Sequence, residues 1–201
     1  MKRSALLFVA FAVAGGLYGR ATASIPSPGD PGVFWVGNLC APWCVLAFLA
    51  GRAQRSGRLA AFAGALADVA CVAGFYLPFL TLDPQRLGLP RSTPLSTVAL
   101  TSLGDWLRFC AGWFAVAVAG GAAYGILGHL WRRSHLLAAG LAVAAPFVAE
   151  PALWVLRNGR YEGPSVIWIA EVAFGLAVAG CMVVLARGAS SRPGSAARST
   201  R

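Results

Sequence analysis

Lysine is almost missing from this chain. Lys2 is the only one among 17 basic residues in a total of 201, and acidic residues number seven. Charged residues make up 12% and hydrophobic residues 58%, with a mean hydropathy of +0.67. Soluble domains carry about 25% charged residues, so a water-soluble fold would lack the polar side chains to cover its surface. Histidine is limited to His129 and His135, and the five cysteines include no CxxC pair. No Walker loop, G-x-S-x-G or H-E-x-x-H motif is present. The net charge of +10 raises the question of nucleic acid. The arginines, however, lie in short connectors between apolar runs, which suits a membrane surface. No nucleic-acid partner, cofactor or metal is expected.

Long apolar runs are what the chain has instead. A spanning helix needs about 20 largely apolar residues, within a range of roughly 17–25. Six segments come near this: Ser4–Gly19, Val33–Ala50, Leu59–Leu82, Trp106–Leu130, Leu136–Leu156 and Pro164–Ala186. The expected fold is an all-α polytopic bundle of about six spans. Residues 1–19 form its first helix, 20–186 the remaining five-helix membrane domain, and 187–201 a disordered basic cytoplasmic tail. The first segment has an alternative: Met-Lys-Arg, an apolar stretch and Ala21-Thr22-Ala23 also fit a cleaved signal peptide over 1–23. Glycines recur inside the segments. Gly15/Gly19 and Gly121/Gly125 have the small-xxx-small spacing that lets helix backbones approach, although Ala/Gly-rich composition also produces such pairs.

Orientation follows from arginine. With the N-terminus inside, Lys2, Arg3, Arg52, Arg55, Arg58, Arg132, Arg133, Arg187, Arg192, Arg198 and Arg201 face the cytoplasm without an acidic residue. The positive-inside rule therefore places both termini inside. Trp35, Tyr76, Trp106, Trp154 and Tyr161 fall near outer ends and Trp131 near an inner end, as an aromatic belt would. The outer connectors Arg20–Gly32 and Asp83–Asp105 are Pro-rich. The hairpins around GRAQRSGR and WRRSH are similar enough to suggest a parallel repeat of the kind transporters use.

Residues 37–44 read GNLCAPWC. Cys40 and Cys44 lie one helical turn apart in an apolar run. A structural zinc site usually takes four Cys/His ligands, and the remaining cysteines and histidines lie on other segments. Free cysteine also packs as a small hydrophobe. The stretch therefore reads as the outer half of a spanning helix, with Pro42 as a kink. His129 reads as an interfacial residue.

Three carboxylates lie inside apolar segments: Asp68, Glu150 and Glu171. Such groups cost about 2.5–3.5 kcal/mol on insertion scales and usually face the protein interior. Glu150 is ~9 Å and Glu171 ~10 Å from the outer boundary by helical rise. Their helices are consecutive and antiparallel, so both acids lie at one level. Asn38, Arg108 and Arg157 fall near that level, and Asp68 is deeper. The candidate intramembrane polar site is thus Asn38, Asp68, Arg108, Glu150, Arg157 and Glu171. No catalytic residue is assigned.

Through N-LCAPW-CVLAFLAGR, YGILGHLWRR and AEPALWVL, the chain resembles a family of small multi-pass bacterial membrane proteins known only as a domain of unknown function. The resemblance implies a membrane location, in a bacterial inner membrane, and supplies no activity and no site residue. Two function classes follow. One is a small-solute or proton-linked transporter or channel-like protein using the outer carboxylates. The other is a non-catalytic scaffold or accessory subunit whose buried acids lock helices together. An enzyme acting inside the membrane ranks below both. The expected partners are the lipid bilayer and either further copies of the chain or another membrane protein.

Overall fold

Many glycines of this protein lie at helix contacts, while many leucines are exposed. The computed structural model describes residues 2–25, 41–158 and 165–190. These form six α-helices: α1 (Lys2–Thr22), α2 (Ala41–Arg52), α3 (Gly57–Tyr76), α4 (Leu95–Ser134), α5 (Leu137–Asn158) and α6 (Ser165–Ser190). There is no strand among the described residues. All but α2 are long and apolar enough to cross a membrane. The protein is an all-α membrane bundle.

The α1 helix shows the logic. Leu6, Val9, Val13 and Leu17 recur at helical spacing and are exposed, so they form a lipid-facing stripe. Its opposite face packs on α3. A methyl group on Gly19 would collide with the Cys71 carbonyl, one on Gly15 with the Ala67 carbonyl, and one on Gly74 with the Gly16 carbonyl. In lipid, apolar side chains gain little from meeting each other, so close backbone packing between small residues holds the helices together. The same device joins α4 to its neighbours. Gly121 and Gly64 each occupy space that a side chain on the other would need, Gly125 abuts Ala60, and Gly128 abuts the Phe48 carbonyl. Both small-xxx-small pairs singled out in the sequence lie at helix contacts.

Two further layers complete the bundle. At one end, Val72, Phe75, Tyr76, Cys110 and Ala117 cluster, with Trp106 and Phe114 against them. At the other, Phe48, Trp131, Ala139 and Val143 join α2, α4 and α5, and Val178 and Met182 of α6 pack against them. The α5 helix packs mainly on α6, with a smaller contact to α2 and α4. The α2–α3 pair is close and the α4–α5 pair is splayed, so the proposed repeat does not extend to the packing.

Several boundaries differ from expectation. The fourth span starts at Leu95 rather than Trp106 and runs for 40 residues, or ~60 Å, about twice the hydrocarbon thickness. The connector expected over Asp83–Asp105 is therefore helical in its second half. Pro94 opens that helix, accepting from the Thr97 and Val98 N–H groups. The preceding stretch folds back on it, where the Thr81 N–H donates to Ser102 Oγ. The third span ends as an α-helix at Tyr76 and tightens into a 3-10 turn over Leu77–Phe79, because Pro78 cannot continue the hydrogen-bond ladder. At its start, Ser56 caps the helix by accepting from the Leu59 N–H. The second span is described only from Ala41, leaving 12 residues. Pro42 is the second described residue of that helix, and the residues before Ala41 lie outside the described ones. The α4 helix ends at His135, whose φ of 48° is left-handed and whose N–H closes on the Trp131 carbonyl at 2.9 Å.

Two belt residues are core residues instead. Trp131 is 1% exposed and Tyr76 is buried; Trp106 Nε1–H donates to the Tyr76 carbonyl at 2.8 Å. Trp35 and Tyr161 lie outside the described residues.

Candidate functional site

Glu150 and Glu171 face each other between α5 and α6. Three features of the sequence bring them together. The helices are consecutive and antiparallel, both acids lie about two turns from the connector, and Gly175 removes bulk one turn beyond Glu171. A methyl group on Gly175 would strike Phe147 of α5, so the two backbones are close at this level. Glu171 is 5% exposed. Its carboxyl lies within electrostatic range of the Glu150 carboxyl. Neither Glu171 oxygen has a hydrogen-bond partner among the described residues.

Glu150 is half-buried. Its Oε2 accepts from the Ala41 N–H at 3.2 Å, at the first described residue of α2. Pro146 and Pro151 lie within α5 on either side of it. Lacking N–H groups, they leave the carbonyls of Ala142 and Phe147 without their usual helical donors. A bilayer offers no water to satisfy such groups, so this stretch of α5 concentrates acceptors and has few donors.

The other candidates divide. Arg108 does not join the glutamates. It is on the exposed side of α4 and pairs with Asp105 at 3.3 Å. The reason is the early start of α4, which puts Asp105 on the same helix one turn before it. Arg157 is exposed at the end of α5. Asn38 and Cys40 lie outside the described residues. Asp68 is 5% exposed and belongs to a different neighbourhood, formed by α2, α3 and α4. Tyr124 of α4 lies near it, and the Tyr124 hydroxyl and Cys44 sulfur are hydrogen-bonded. No cluster of three or more metal-ligating side chains occurs among the described residues.

Two polar groups carried no clear signal in the sequence. His129 is buried rather than interfacial; its Nδ1 lies 3.2 Å from the Gln54 carbonyl oxygen, which requires the tautomer with hydrogen on Nδ1. This bond fastens the α2–α3 turn to α4. Gln54 itself is fully buried, and its side-chain amide has no partner among the described residues. It sits among arginines in a loop that reads as solvated, so composition pointed the other way.

The arrangement defines a polytopic helical membrane protein with paired acids inside the bundle. Residues 1–79 match a family of unknown function (DUF6518). Those residues span α1 to α3, under half of the chain. Of the three stretches that carried the resemblance, only the first falls within them. No curated protein and no solved structure matches the chain.

Proposed function

We propose that this protein is a small transporter or channel-like protein of a bacterial inner membrane, moving protons or a solute coupled to them through the Glu150–Glu171 pair. The observation that supports this most is the state of Glu171: a carboxyl 5% exposed, within electrostatic range of a second carboxyl and without a hydrogen-bond partner among the described residues. Two acids so placed need a proton or a small cation between them, because an isolated buried charge is costly. Ionisable groups inside a bundle commonly mark such pathways. A purely structural lock would be better served by a partner of opposite charge, and Arg108 is engaged elsewhere.

A second reading has one contact in its favour. The Ala41–Glu150 hydrogen bond ties α2 to α5, as a scaffold or accessory subunit would require.

Purified protein in vesicles loaded with a pH-sensitive dye separates the two. On the transport reading, an imposed pH gradient or membrane potential collapses faster than in empty vesicles, and Glu171→Gln returns the rate to that of empty vesicles while the protein stays folded. If the wild-type protein moves no protons under either gradient, with or without a mixture of small solutes, the scaffold reading stands.

A further inference from the structure

A second buried acid sits in a cavity that the glutamate pair does not touch. The cavity measures about 130 Å³ and lies between α2, α3 and α4. Its walls are aromatic: Trp43, Phe75, Tyr76 and Trp113. The rings form one surface, with Trp43 and Phe75 edge to face at 6.0 Å, Phe75 and Tyr76 at 5.0 Å, and Tyr76 stacked on Trp113 at 6.2 Å. Asp68 is the only charged residue lining it among the described residues. The Asp68 Oδ1 is buried without a hydrogen-bond partner among the described residues, and so is the Trp43 indole N–H.

Each part of this site has a chemical meaning. A carboxylate inside an apolar wall favours a positive charge, and aromatic faces add cation–π attraction. An oxygen without a donor calls for a ligand N–H as well as a charge. The unpartnered indole N–H adds a place for an acceptor. The rim defines the route of entry. Trp113 and Val116 lie on the exposed face of α4, at 48% and 64% exposure, and Gly120 beside them has nothing against it. The opening therefore faces the acyl chains of the bilayer. Asp68 lies eight residues before Tyr76, ~12 Å from the outer end of α3.

We infer that the Asp68 cavity is a binding site for a protonated amine with an apolar body, entering sideways from the outer leaflet. Such amphiphiles concentrate in the bilayer interface, where their apolar part is already dissolved. The cavity supplies what the bilayer lacks: a counter-charge, a hydrogen-bond acceptor and aromatic faces. Primary and secondary amines fit better than quaternary ammonium ions, which have charge but no N–H for Oδ1.

The test uses the full-length protein in nanodiscs and equilibrium dialysis with three probes of similar size: phenethylamine, its N,N,N-trimethyl analogue and phenethyl alcohol. Binding should be saturable and strongest for the amine, weaker for the trimethyl compound and weakest for the alcohol. Asp68→Asn, which keeps the shape, should weaken amine binding at least about tenfold. Val116→Trp leaves Asp68 in place and fills the mouth, so it should abolish binding even if Asp68→Asn proves hard to fold. Glu171→Gln should bind the amine as the wild type does, so this site and the glutamate pair stand or fall separately. Equal binding of the amine and the alcohol, or unchanged amine binding in Val116→Trp, would overturn the inference. So would absence of saturable binding to the wild type.

Discussion

The Ala41 N–H donates to Glu150 Oε2 at 3.2 Å, across 109 residues of chain. This single bond joins the first described residue of α2 to the middle of the α5–α6 hairpin. It matters because α5 has only small contacts with α2 and α4. Among the described residues, the Trp131 layer and Glu150 both tie the hairpin to the rest of the bundle. The acid that belongs to the proposed site is also a tether.

That double role predicts different outcomes for different substitutions. Glu150→Gln keeps an oxygen that can accept from Ala41, so thermal stability should change little. Glu150→Ala leaves the N–H unpaired and should cost about 1–3 kcal/mol, seen as a lower melting temperature in detergent. Equal stability of the two variants would show that the bond holds nothing together.

Helix contacts built on glycine should be intolerant in a patterned way. Gly19→Ala, Gly64→Ala and Gly125→Ala place a methyl against backbone of a neighbouring helix, and backbone cannot step aside cheaply. Each should lower the yield of folded protein or its melting temperature. Gly120→Ala and Gly180→Ala meet nothing within 4 Å and should be neutral or slightly stabilising through helix propensity. Uniform effects across both groups would mean that composition, rather than contact, placed these glycines.

Gln54 presents an opposite case. Its buried amide makes no hydrogen bond among the described residues, and leaving such a group unpaired costs about 1–3 kcal/mol. Gln54→Leu should therefore match or exceed the wild type in melting temperature. His129→Phe should lose stability, because it removes the donor to the Gln54 backbone. A marked loss in Gln54→Leu would reveal a polar partner for the side chain.

Orientation can be read with fusions. Reporters placed after Arg58 and after Arg133 should indicate cytoplasm, and reporters within residues 84–90 should indicate the exterior. Reversed signals would end the positive-inside assignment.

The first helix offers a mass measurement. Its glycines interlock with α3, so a retained α1 should be found in the purified protein at full mass. A mature chain beginning after Ala23 would favour the signal-peptide alternative.

Much of this protein follows from sequence because a bilayer leaves the backbone few options. Apolar runs of about 20 residues become helices since every backbone group must bond internally. Depth and antiparallel order were enough to put Glu150 and Glu171 at one level. The spacing of Gly121 and Gly125 marked a helix contact. Tertiary structure decided what depends on rotation and on neighbours. Arg108, expected near the level of the glutamates, pairs with Asp105 instead, because where α4 begins is fixed by Pro94 and by the fold-back of the preceding stretch, neither of which alters hydropathy. Trp131 and His129 sit at the end of a span, where periodicity suggests an interface; only the arrival of α2, α5 and the 53–56 turn buries them. The cavity at Asp68 is the clearest example. Its walls come from three helices, and nothing in the spacing of Trp43, Asp68 and Trp113 along the chain reveals that their side chains enclose one space.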